Sequence, residues 1–399
     1  MEKLKVGILG LQRGITHLRN MLHVPEAEVL VAADRMESRR EHARGVIGDA
    51  PVKLVSEFDE MLEMKPDAVV IASNGRCQTR HAIQAMEAGV NVLSEVPGAF
   101  TELECIELRD CVLRTGMTYM LGENACFWDF LRYFRKWVAN GRLGHMSAAE
   151  AEYLHYLPAT LECPDGARLT PSQAKEQGRT DGKPTWRADQ PPIQYLTHDL
   201  GPLLEMLDDR VVSVTCMGAP WQSLEAPLRS DAQFALFRTA RGLVLRVMVT
   251  LNTRRPSEHR YRLFGTLGAA EWSLYEGFAR LFDRDREEAQ GWEVKDIGVA
   301  ARDQDTSTGH GGADLKMARH FVLALLEGKP APIDVFRMID YTLPGIIANR
   351  SAEMGGMPLA MPELRTQPYA GTTFWDYVGL PDSEPEGIPY KAGNFLLEE

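Results

Sequence analysis

The sequence has no hydrophobic run long enough to cross a bilayer, and it has too little positive charge for a nucleic-acid-binding protein. Its 44 Lys and Arg residues against 56 Asp and Glu residues give a net charge of -12, without the basic cluster that duplex binding needs. The apolar N-terminal run lacks the small-residue cleavage site of a secretory signal. We therefore expect a cytoplasmic protein with a small-molecule partner, without a nucleic-acid or membrane partner.

The sequence also lacks any C-x-x-C pair. Scattered cysteines are typical of reduced, separately packed thiols, and their spacing here matches neither a disulfide framework nor a zinc site. We therefore predict no metal site. The cysteines concerned are Cys77, Cys105, Cys111, Cys126, Cys163 and Cys216.

A chain of 399 residues is too long for one ordinary hydrophobic core, so two domains are expected. In residues 1–144, short apolar runs alternate with amphipathic segments, which is typical of βαβ units around a parallel sheet. Strands are predicted at 5–9, 29–33, 68–72, 90–94 and 118–121. Thr101 and Glu104 have the spacing of a capping box at the start of a helix.

After residue 144 the pattern changes to closely spaced β segments, which predicts an α+β domain with a mainly antiparallel sheet over 145–365. Helices are predicted at 202–207 and 315–326. The polar segment 158–192 is long for a loop, and is either a lid over a site or a disordered connection. The tail, 366–399, carries Phe374, Trp375 and Tyr377, which we expect to pack on another surface, with a neighbouring subunit as one alternative.

The first strand leads into the glycine-bearing turn KVGILGLQRG, where a Rossmann domain holds a pyrophosphate against backbone N–H groups. Gln12 stands where the second glycine of G-x-G-x-x-G is usual, and Gly14 comes one residue early. Asp34 ends the second strand, where a carboxylate can accept both ribose hydroxyls and favours NAD; Arg35 beside it keeps NADP as an alternative. The predicted cofactor residues here are Gly10, Gln12, Arg13, Gly14, Asp34 and Arg35.

The order of these motifs resembles the Gfo/Idh/MocA family, named for glucose–fructose oxidoreductase and inositol dehydrogenase, from about residue 5 to 365. The resemblance implies an α/β Rossmann domain followed by an α+β domain whose large, mainly antiparallel open sheet often forms the oligomer interface. A homodimer or homotetramer through that sheet is therefore expected. The segment ASNGRCQ corresponds to a family Thr-Pro-Asn-x-x-His segment, which implies that Ser73, Asn74, Gly75 and Gln78 lie near the cofactor.

The stretch SEVP corresponds to the family's Glu-Lys-Pro, in which the lysine assists deprotonation of the substrate hydroxyl. Glu95 and Pro97 match this motif, so the resemblance implies that they lie at the cofactor edge, with a cis bond before Pro97 as one expectation. Val96 replaces the lysine, and its isopropyl group cannot carry a proton. The usual lysine-assisted site is therefore absent.

The segment QYLTHDLGP contains the best replacement for that lysine. It corresponds to the family's D-x-x-x-H motif, with Gln194 in the place of the acid and His198 in the place of the histidine. A histidine near a helix N-terminus suits a general base, and Tyr195 accompanies it. The simpler interpretation is a histidine that packs under the helix.

The motifs EVP, GEN, YLTHDLGP and GHGG are more similar to the branch that contains NAD-dependent α-N-acetylgalactosaminidases than to inositol dehydrogenase. In that branch a sugar hydroxyl is oxidised transiently, the glycosidic bond is eliminated, and water addition and reduction follow. The resemblance implies a substrate site that includes Glu123, Tyr153, Tyr195 and His198.

Four further residues are weaker substrate-site candidates. His155 alternates with Tyr153 on one face of a predicted strand, although an exposed edge strand explains that pattern equally well. Trp186 and Arg187 could stack on and hydrogen-bond a sugar, or form a packed corner. His310 lies between glycines and could reach a substrate.

The leading hypothesis is an NAD-dependent oxidoreductase that removes hydride from a carbinol carbon of a sugar or sugar derivative, with His198, aided by Tyr195, as the base. One alternative is a redox-neutral NAD-dependent glycosidase or lyase that uses the same oxidation transiently. A second alternative is a non-catalytic dinucleotide-binding sensor or assembly subunit, which the departures at Gln12, Gln78, Val96 and Gln194 favour.

Overall fold

The computed structural model describes residues 3–223, 230–283, 291–295, 297, 309–365, 374–385 and 387–388. Much of the tail predicted at 366–399 lies outside the described residues. None of the helices in the described ranges is both long and apolar enough to cross a bilayer.

The first half of the chain forms a six-stranded parallel sheet in the order β3-β2-β1-β4-β5-β6. The inner strands are buried along almost their whole length, as expected where helices cover both faces of a sheet. All five strands predicted in this half are present. The strands are β1 (Leu4–Leu9), β2 (Ala27–Ala33), β3 (Lys53–Val55), β4 (Ala68–Ile71), β5 (Asn91–Ser94) and β6 (Tyr119–Leu121).

Helices follow these strands in the alternation expected for βαβ units. The predicted capping box is present: the Thr101 side chain accepts from Glu104 N–H and the Glu104 carboxylate accepts from Thr101 N–H. The helices are α1 (Gly14–His23), α2 (Glu37–Ile47), α3 (Phe58–Glu63), α4 (Gln78–Glu87), α5 (Glu102–Thr115) and α6 (Asp129–Ala139).

The second half forms a large sheet whose ten described strands are mostly antiparallel; β13 and β7 pair in parallel. The predicted fold class is therefore confirmed. The strand order is β18-β11-β12-β13-β7-β14-β15-β16-β17-β19. The strands are β7 (Met146–Leu154), β11 (Val211–Gly218), β12 (Ala232–Thr239), β13 (Val244–Thr250), β14 (Glu258–Gly265), β15 (Gly268–Ser273), β16 (Phe278–Asp283), β17 (Glu293–Lys295), β18 (Leu359–Ala360) and β19 (Gly387–Ile388).

One face of this sheet packs on helices and the other carries exposed apolar side chains. Burial alternates along β12, so Phe234 and Leu236 point outward and are 44% and 47% exposed, while Phe237 is buried. On the inner face the rings of Phe130 (α6) and Trp272 (β15) stack with their centroids 4.2 Å apart. The outward face is the surface through which a homodimer or homotetramer is expected, and that assembly stays a prediction.

The helices of the second half are α7 (Pro171–Glu176), α8 (Thr197–Leu207), α9 (Ala313–Leu326), α10 (Val335–Glu353) and α11 (Phe374–Val378). The helix predicted at 202–207 begins five residues earlier than expected, at Thr197, so His198 lies within α8 and not before it. Helices α9 and α10 return to the first half of the chain. There, Thr342 donates to the carbonyl oxygen of Pro97 (2.6 Å), and Leu121 N–H donates to Ile333 O (2.9 Å).

Residues 158–192, which we call the strap, form an ordered segment that lies against the first half. The strap contains β8 (Leu161–Glu162), β9 (Arg168–Leu169), α7 and β10 (Lys183–Pro184), and the three strands make a small antiparallel sheet. Thr170 caps α7 through a capping box with Gln173. Of the two alternatives for this segment, the structure supports a cover over a site.

The described part of the tail packs on its own chain. Phe374 contacts Phe127 edge to face with ring centroids 5.3 Å apart, and Trp375 Nε1 donates to the Glu205 carbonyl at 2.9 Å. Both residues are buried. A neighbouring subunit is therefore not needed to cover them.

Candidate active site

A cavity of about 920 Å³ lies between the carboxyl ends of the parallel strands and the strap. This edge of an open parallel sheet is the usual ligand site in α/β folds. On one side it is lined by the residues that follow β1, β2, β4 and β5; on the other side lie Glu162, Arg168 and the run from Lys183 to Arg187. The predicted cofactor turn and the strap therefore enclose one space.

The turn after β1 requires a glycine at position 10. Gly10 has φ +86°, and a Cβ there would lie 2.6 Å from the carbonyl oxygen of Ala72. Gly14 begins α1 and packs closely on Ile8 and Ala72, so its role is helix–strand packing. The Gln12 side chain accepts a hydrogen bond from Arg168 of the strap.

Asp34 ends β2 and is fixed by the same turn. Its Oδ2 accepts from Leu11 N–H at 2.7 Å, and its Oδ1 accepts from Met36 N–H at 2.9 Å. Arg39 donates to Asp34 and also to Glu162 of the strap. Arg35, by contrast, points to solvent beside Glu57, with its side chain 80% exposed.

A chain of charged groups links the turn to β5 and α9. Arg13 Nε donates to Glu95 Oε1 at 2.7 Å, and Arg13 Nη2 contacts Asp314 Oδ2 at 2.9 Å. His17 Nε2 lies 2.6 Å from the same Glu95 oxygen, and His310 Nδ1 lies 3.1 Å from Asp314 Oδ2. His310 is therefore tied to a buried carboxylate, and its backbone oxygen accepts from Trp128 Nε1.

This network keeps Glu95 ionised. Burial raises the pKa of Glu95, but the charge of Arg13 and the hydrogen bond from His17 together outweigh burial and lower that pKa to about 2. The pKa of Asp314 is also below its usual value, because the hydrogen bond from His310 and the charge of Arg13 outweigh the effect of burial. The strand-end carboxylate at Glu95 is thus the anchor of Arg13.

Val96 lines the cavity beside Glu95, and the Val96–Pro97 peptide bond is cis, as expected. Nearby, Ser73 Oγ lies 2.9 Å from His81 Nδ1. His81 is partly buried against Phe58, and burial lowers its pKa to about 4.

His198 and Glu123 form a buried pair at the start of α8. His198 Nδ1 lies 2.7 Å from Glu123 Oε1, and Glu123 also accepts from Ala125 N–H at 3.1 Å. Pro202 has no N–H to bond the His198 carbonyl four residues earlier, and the Tyr261 hydroxyl donates to that carbonyl instead. The ring and the backbone carbonyl of His198 therefore each have a hydrogen-bond partner.

Aromatic rings surround this pair. Tyr153 stacks on both His198 and His155, with centroids 5.4 Å and 4.1 Å apart, and Tyr195 meets His198 edge to face at 5.1 Å. His155 Nε2 lies 3.2 Å from His259 Nε2. Burial lowers the pKa of His155 to about 3, so both rings of that pair are neutral and one donates to the other.

The strap contributes Trp186 and Arg187 to the cavity wall. Arg187 Nη2 donates to the Tyr195 hydroxyl at 2.9 Å, and the guanidinium lies over the rings of Trp186 and Tyr195 at 4.4 Å and 4.5 Å. Trp186 in turn covers Gly75, where a Cβ would lie 2.9 Å from the indole. A glycine at 75 therefore allows the strap to approach the end of β4.

The predicted site residues fall into two groups. Those that line the cavity are Gly10, Gln12, Arg13, Asp34, Arg35, Ser73, Asn74, Gln78, Glu95, Trp186, Arg187 and Tyr195. Those that do not line it are Gly14, Gly75, Pro97, Glu123, Tyr153, His155, His198 and His310, of which His310 is exposed. Tyr195 connects the groups, because its ring lines the cavity and also packs on His198.

Several polar residues at the site were not foreseen. His17, Asp314 and Arg168 contact predicted residues from distant positions in the sequence, and His259 joins His155. Asp199 is fully buried beside His198, and its carboxyl oxygens have no hydrogen-bond partner among the described residues. The HD pair in THDLGP was the one local signal for Asp199. Among the described residues, no group of three or more His, Cys, Asp or Glu side chains could hold a metal ion.

Two family models match the chain. Residues 4–123 match an oxidoreductase family with an NAD-binding Rossmann fold, and residues 131–271 match the GFO/IDH/MocA C-terminal domain. The chain belongs to the Gfo/Idh/MocA family. The predicted family and the predicted NAD-dependent oxidoreductase class are thereby confirmed.

Relatives of this Gfo/Idh/MocA protein carry glycosidase names, in agreement with the predicted branch. A glycosyl hydrolase family 109 protein 5 of Phocaeicola vulgatus is 24% identical, over 91% of this chain and 78% of its own. A glycosyl hydrolase family 109 protein of Solibacter usitatus is 25% identical, over 90% and 87%.

Solved structures with the same fold carry dehydrogenase names. A levoglucosan dehydrogenase in complex with NADH and levoglucosan superimposes with a TM-score of 0.74, at 18% identity, over 91% of this chain and all (100%) of the other. An inositol dehydrogenase homolog from Azotobacter vinelandii, with NADH and myo-inositol, has a TM-score of 0.71 at 18% identity over 90% and 98%. These likenesses support the fold.

The cavity suits the NAD that the family binds. The Gly10 turn has no room for a Cβ, and the Asp34 carboxylate is fixed at the end of β2, where it keeps lone pairs for a ribose. The residues that would hold NAD are Gly10, Gln12, Arg13, Asp34, Ser73, Asn74 and Glu95.

Proposed function

We propose that this protein oxidises a hydroxyl of a sugar or sugar derivative, with His198 as the general base. The observation that carries the proposal is the hydrogen bond of 2.7 Å between His198 Nδ1 and Glu123 Oε1, both of them buried. A carboxylate bound to Nδ1 keeps the proton there and leaves Nε2 as the proton acceptor. The pair therefore has the chemistry that Val96 cannot supply.

Glu123 also stabilises the imidazolium that forms when His198 accepts a proton. Its Oε1 lies against Nδ1, so negative charge on the carboxylate would act on the ring at hydrogen-bond distance. Glu123 is thus a positioning residue, because it acts through His198.

Tyr195 conveys the substrate proton in this proposal. Its phenol faces the cavity, and Arg187 donates to it at 2.9 Å. A guanidinium beside the oxygen stabilises negative charge there while the substrate hydroxyl loses its proton. Trp186 supplies an apolar face on which a sugar ring can stack. When bound, NAD supplies the hydride acceptor.

Two solved structures with the same fold support a sugar substrate, because their names give levoglucosan and myo-inositol as the bound ligands. Trp186 offers an apolar ring and Arg187 offers N–H donors at the cavity wall, a combination that suits a hydroxyl-rich ligand. Of the predicted substrate residues, we take Trp186 and Arg187, which line the cavity, as contacts of that ligand, and Tyr153, His155 and His310 as residues of the surrounding layer.

A redox-neutral glycosidase is the second candidate, favoured by the glycosyl hydrolase family 109 names of the relatives. In that chemistry the oxidised carbon acidifies the neighbouring C–H bond, and the glycosidic bond is then eliminated. His198 and Tyr195 serve both candidates, because each starts with removal of a hydroxyl proton.

Product analysis tests the proposal and separates the two chemistries. Purified protein is incubated with NAD and, separately, levoglucosan, myo-inositol and p-nitrophenyl α-N-acetylgalactosaminide. Oxidation predicts NADH in equal amount to ketone; the glycosidase predicts p-nitrophenol without accumulation of NADH. Binding of NAD without either product on a broad sugar panel would contradict both and favour the sensor hypothesis.

A further inference from the structure

Arg168 of the strap lies against the turn that replaces the usual dinucleotide fingerprint. It donates to the Gln12 side chain, contacts Glu162 at 3.6 Å and lines the cavity. Its Nε is buried and is the atom that faces Glu162, beyond hydrogen-bond distance, with no hydrogen-bond partner among the described residues. A guanidinium has five N–H donors, so one at a cavity wall can bind an anion through the donors that Gln12 and Glu162 do not take.

The turn itself lacks one of the backbone contacts that usually bind the pyrophosphate. The usual second glycine lets a pyrophosphate approach the backbone, but Gln12 occupies that position here. Helix α1 begins without a side-chain cap, so its N-terminus still favours an anion. A second source of binding energy is therefore needed beside this turn.

Two other cations at the turn, Arg13 and Arg39, are held by carboxylates at shorter distances than Arg168 is. Arg13 is paired with Glu95 and Asp314, and Arg39 is paired with Asp34 and Glu162. Glu162 lies closer to Arg39 than to Arg168. Burial lowers the pKa of Arg168 below its usual value, so a neighbouring anion would relieve an unfavourable charge.

We propose that Arg168 binds the pyrophosphate of the dinucleotide and takes the place of the backbone contact that the second glycine makes elsewhere. The second half of the chain then contributes directly to cofactor binding, and the strap closes over the bound pyrophosphate. Arg168 has no part in proton transfer, so this proposal stands apart from the role of His198.

The test is a binding measurement on the Arg168→Gln variant. We expect Kd for NAD and for ADP-ribose to rise about ten- to a hundredfold, the loss typical of one or two charge-assisted hydrogen bonds. Kd for adenosine, which lacks phosphate, should stay within twofold. Lys175→Gln is the matched control, because it removes a positive charge from the exposed surface of the same strap, outside the cavity.

Two results would overturn the proposal. An unchanged Kd for ADP-ribose would exclude a phosphate contact, and an equal loss for adenosine and ADP-ribose would mean that Arg168 only holds the strap in place. Arg168→Lys provides a second variant if the glutamine variant is unstable; it keeps the charge and should recover part of the ADP-ribose affinity. The penalty of Arg168→Gln should also shrink in a Gln12→Gly background, where the backbone is again accessible.

Discussion

His198 and Glu123 come from different elements and meet in a buried hydrogen bond of 2.7 Å between Nδ1 and Oε1. Glu123 follows the last strand of the first sheet, whereas His198 lies in the first turn of α8. Pro202 frees the His198 carbonyl to accept from Tyr261, so the backbone is held as well as the ring. Two residues outside α8, Glu123 and Tyr261, therefore fix the orientation of the His198 imidazole.

Glu123→Gln is expected to lower kcat by roughly 10²-fold or more, because an amide can stabilise neither the Nδ1–H tautomer nor an imidazolium as a carboxylate does. NAD affinity should be unchanged, because Glu123 lies behind the cavity wall. Steady-state kinetics and an NAD titration check this. Loss of NAD binding in parallel with turnover would indicate that Glu123 is merely structural.

Asp199→Asn is the matched control, because it alters an equally buried carboxyl beside His198. Burial and the charges of Glu123 and Glu152 raise the pKa of Asp199 well above its usual value, which favours the neutral form of this carboxyl in the folded protein. Replacement by a neutral amide of the same shape should leave kcat within about threefold. A loss as large as that of Glu123→Gln would contradict this assignment.

The same variant should change how stability depends on pH. Because the pKa of Asp199 is raised in the folded state, the folded protein keeps a proton on this carboxyl that the unfolded chain releases. The contribution of Asp199 to the free energy of unfolding therefore falls as pH rises from about 4 to the folded pKa. The slope is at most about 1.4 kcal/mol per pH unit. Asp199→Asn removes this dependence. In thermal unfolding from pH 5 to 8, the stability of Asp199→Asn relative to the parent protein should increase with pH. A stability difference that stays constant over this range would show that Asp199 is ionised.

Arg13→Gln should destabilise the protein most at neutral pH. The folded pKa of Glu95 is lowered to about 2 by partners that outweigh burial, so its stabilising effect is present above the ordinary value of 4.5 and is lost as pH falls toward 2. Without Arg13, two buried carboxylates lose their cation. We expect a loss of roughly 1–3 kcal/mol at pH 7, less than for a fully buried pair because Arg13 is 32% exposed.

Denaturant unfolding at pH 7 and pH 3 measures this effect. The difference between Arg13→Gln and the parent should shrink at pH 3, where the variant's carboxylates are protonated. Arg44→Gln is the control: its side chain is 55% exposed and its ion pairs are on the surface of α2, so it should cost less than about 1 kcal/mol. Equal effects at both pH values would argue against an electrostatic role of Arg13.

Gly10→Ala should destabilise the protein by roughly 1–3 kcal/mol and abolish NAD binding, because φ is +86° and the new Cβ would meet the Ala72 backbone. Gly45→Ala is the opposite control. It lies exposed within α2, and no atom of the described residues lies within 4 Å of its Cβ position, so alanine should stabilise by about 0.5–1 kcal/mol. An unaffected NAD affinity in Gly10→Ala would contradict the assignment of the turn.

Local patterns predicted much of the first half. Apolar runs between turn residues placed β1, β2, β4, β5 and β6, since buried parallel strands have a compact signature in the sequence. Thr101 and Glu104 predicted a cap because both hydrogen bonds lie within one turn of helix.

Contacts between distant residues could not be read in this way. Arg13 and Asp314 are three hundred residues apart in sequence, and the pairing of Arg168 with Gln12 depends on the fold of the strap. Helix α10 was missed altogether; Pro344 within it interrupts the expected pattern, although tertiary packing preserves the helix. The start of α8 was misplaced for a related reason, because Pro202 suggested a helix beginning and in fact lies inside the helix.

The central claim is that His198 accepts the substrate proton, and His198→Ala tests it most directly. With a substrate identified from the sugar panel, kcat should fall by about 10²- to 10⁴-fold while Kd for NAD stays within about twofold. His81→Ala, a partly buried histidine at the cofactor end of the cavity, should retain most of the turnover. A His198→Ala enzyme with near-normal kcat would contradict the account.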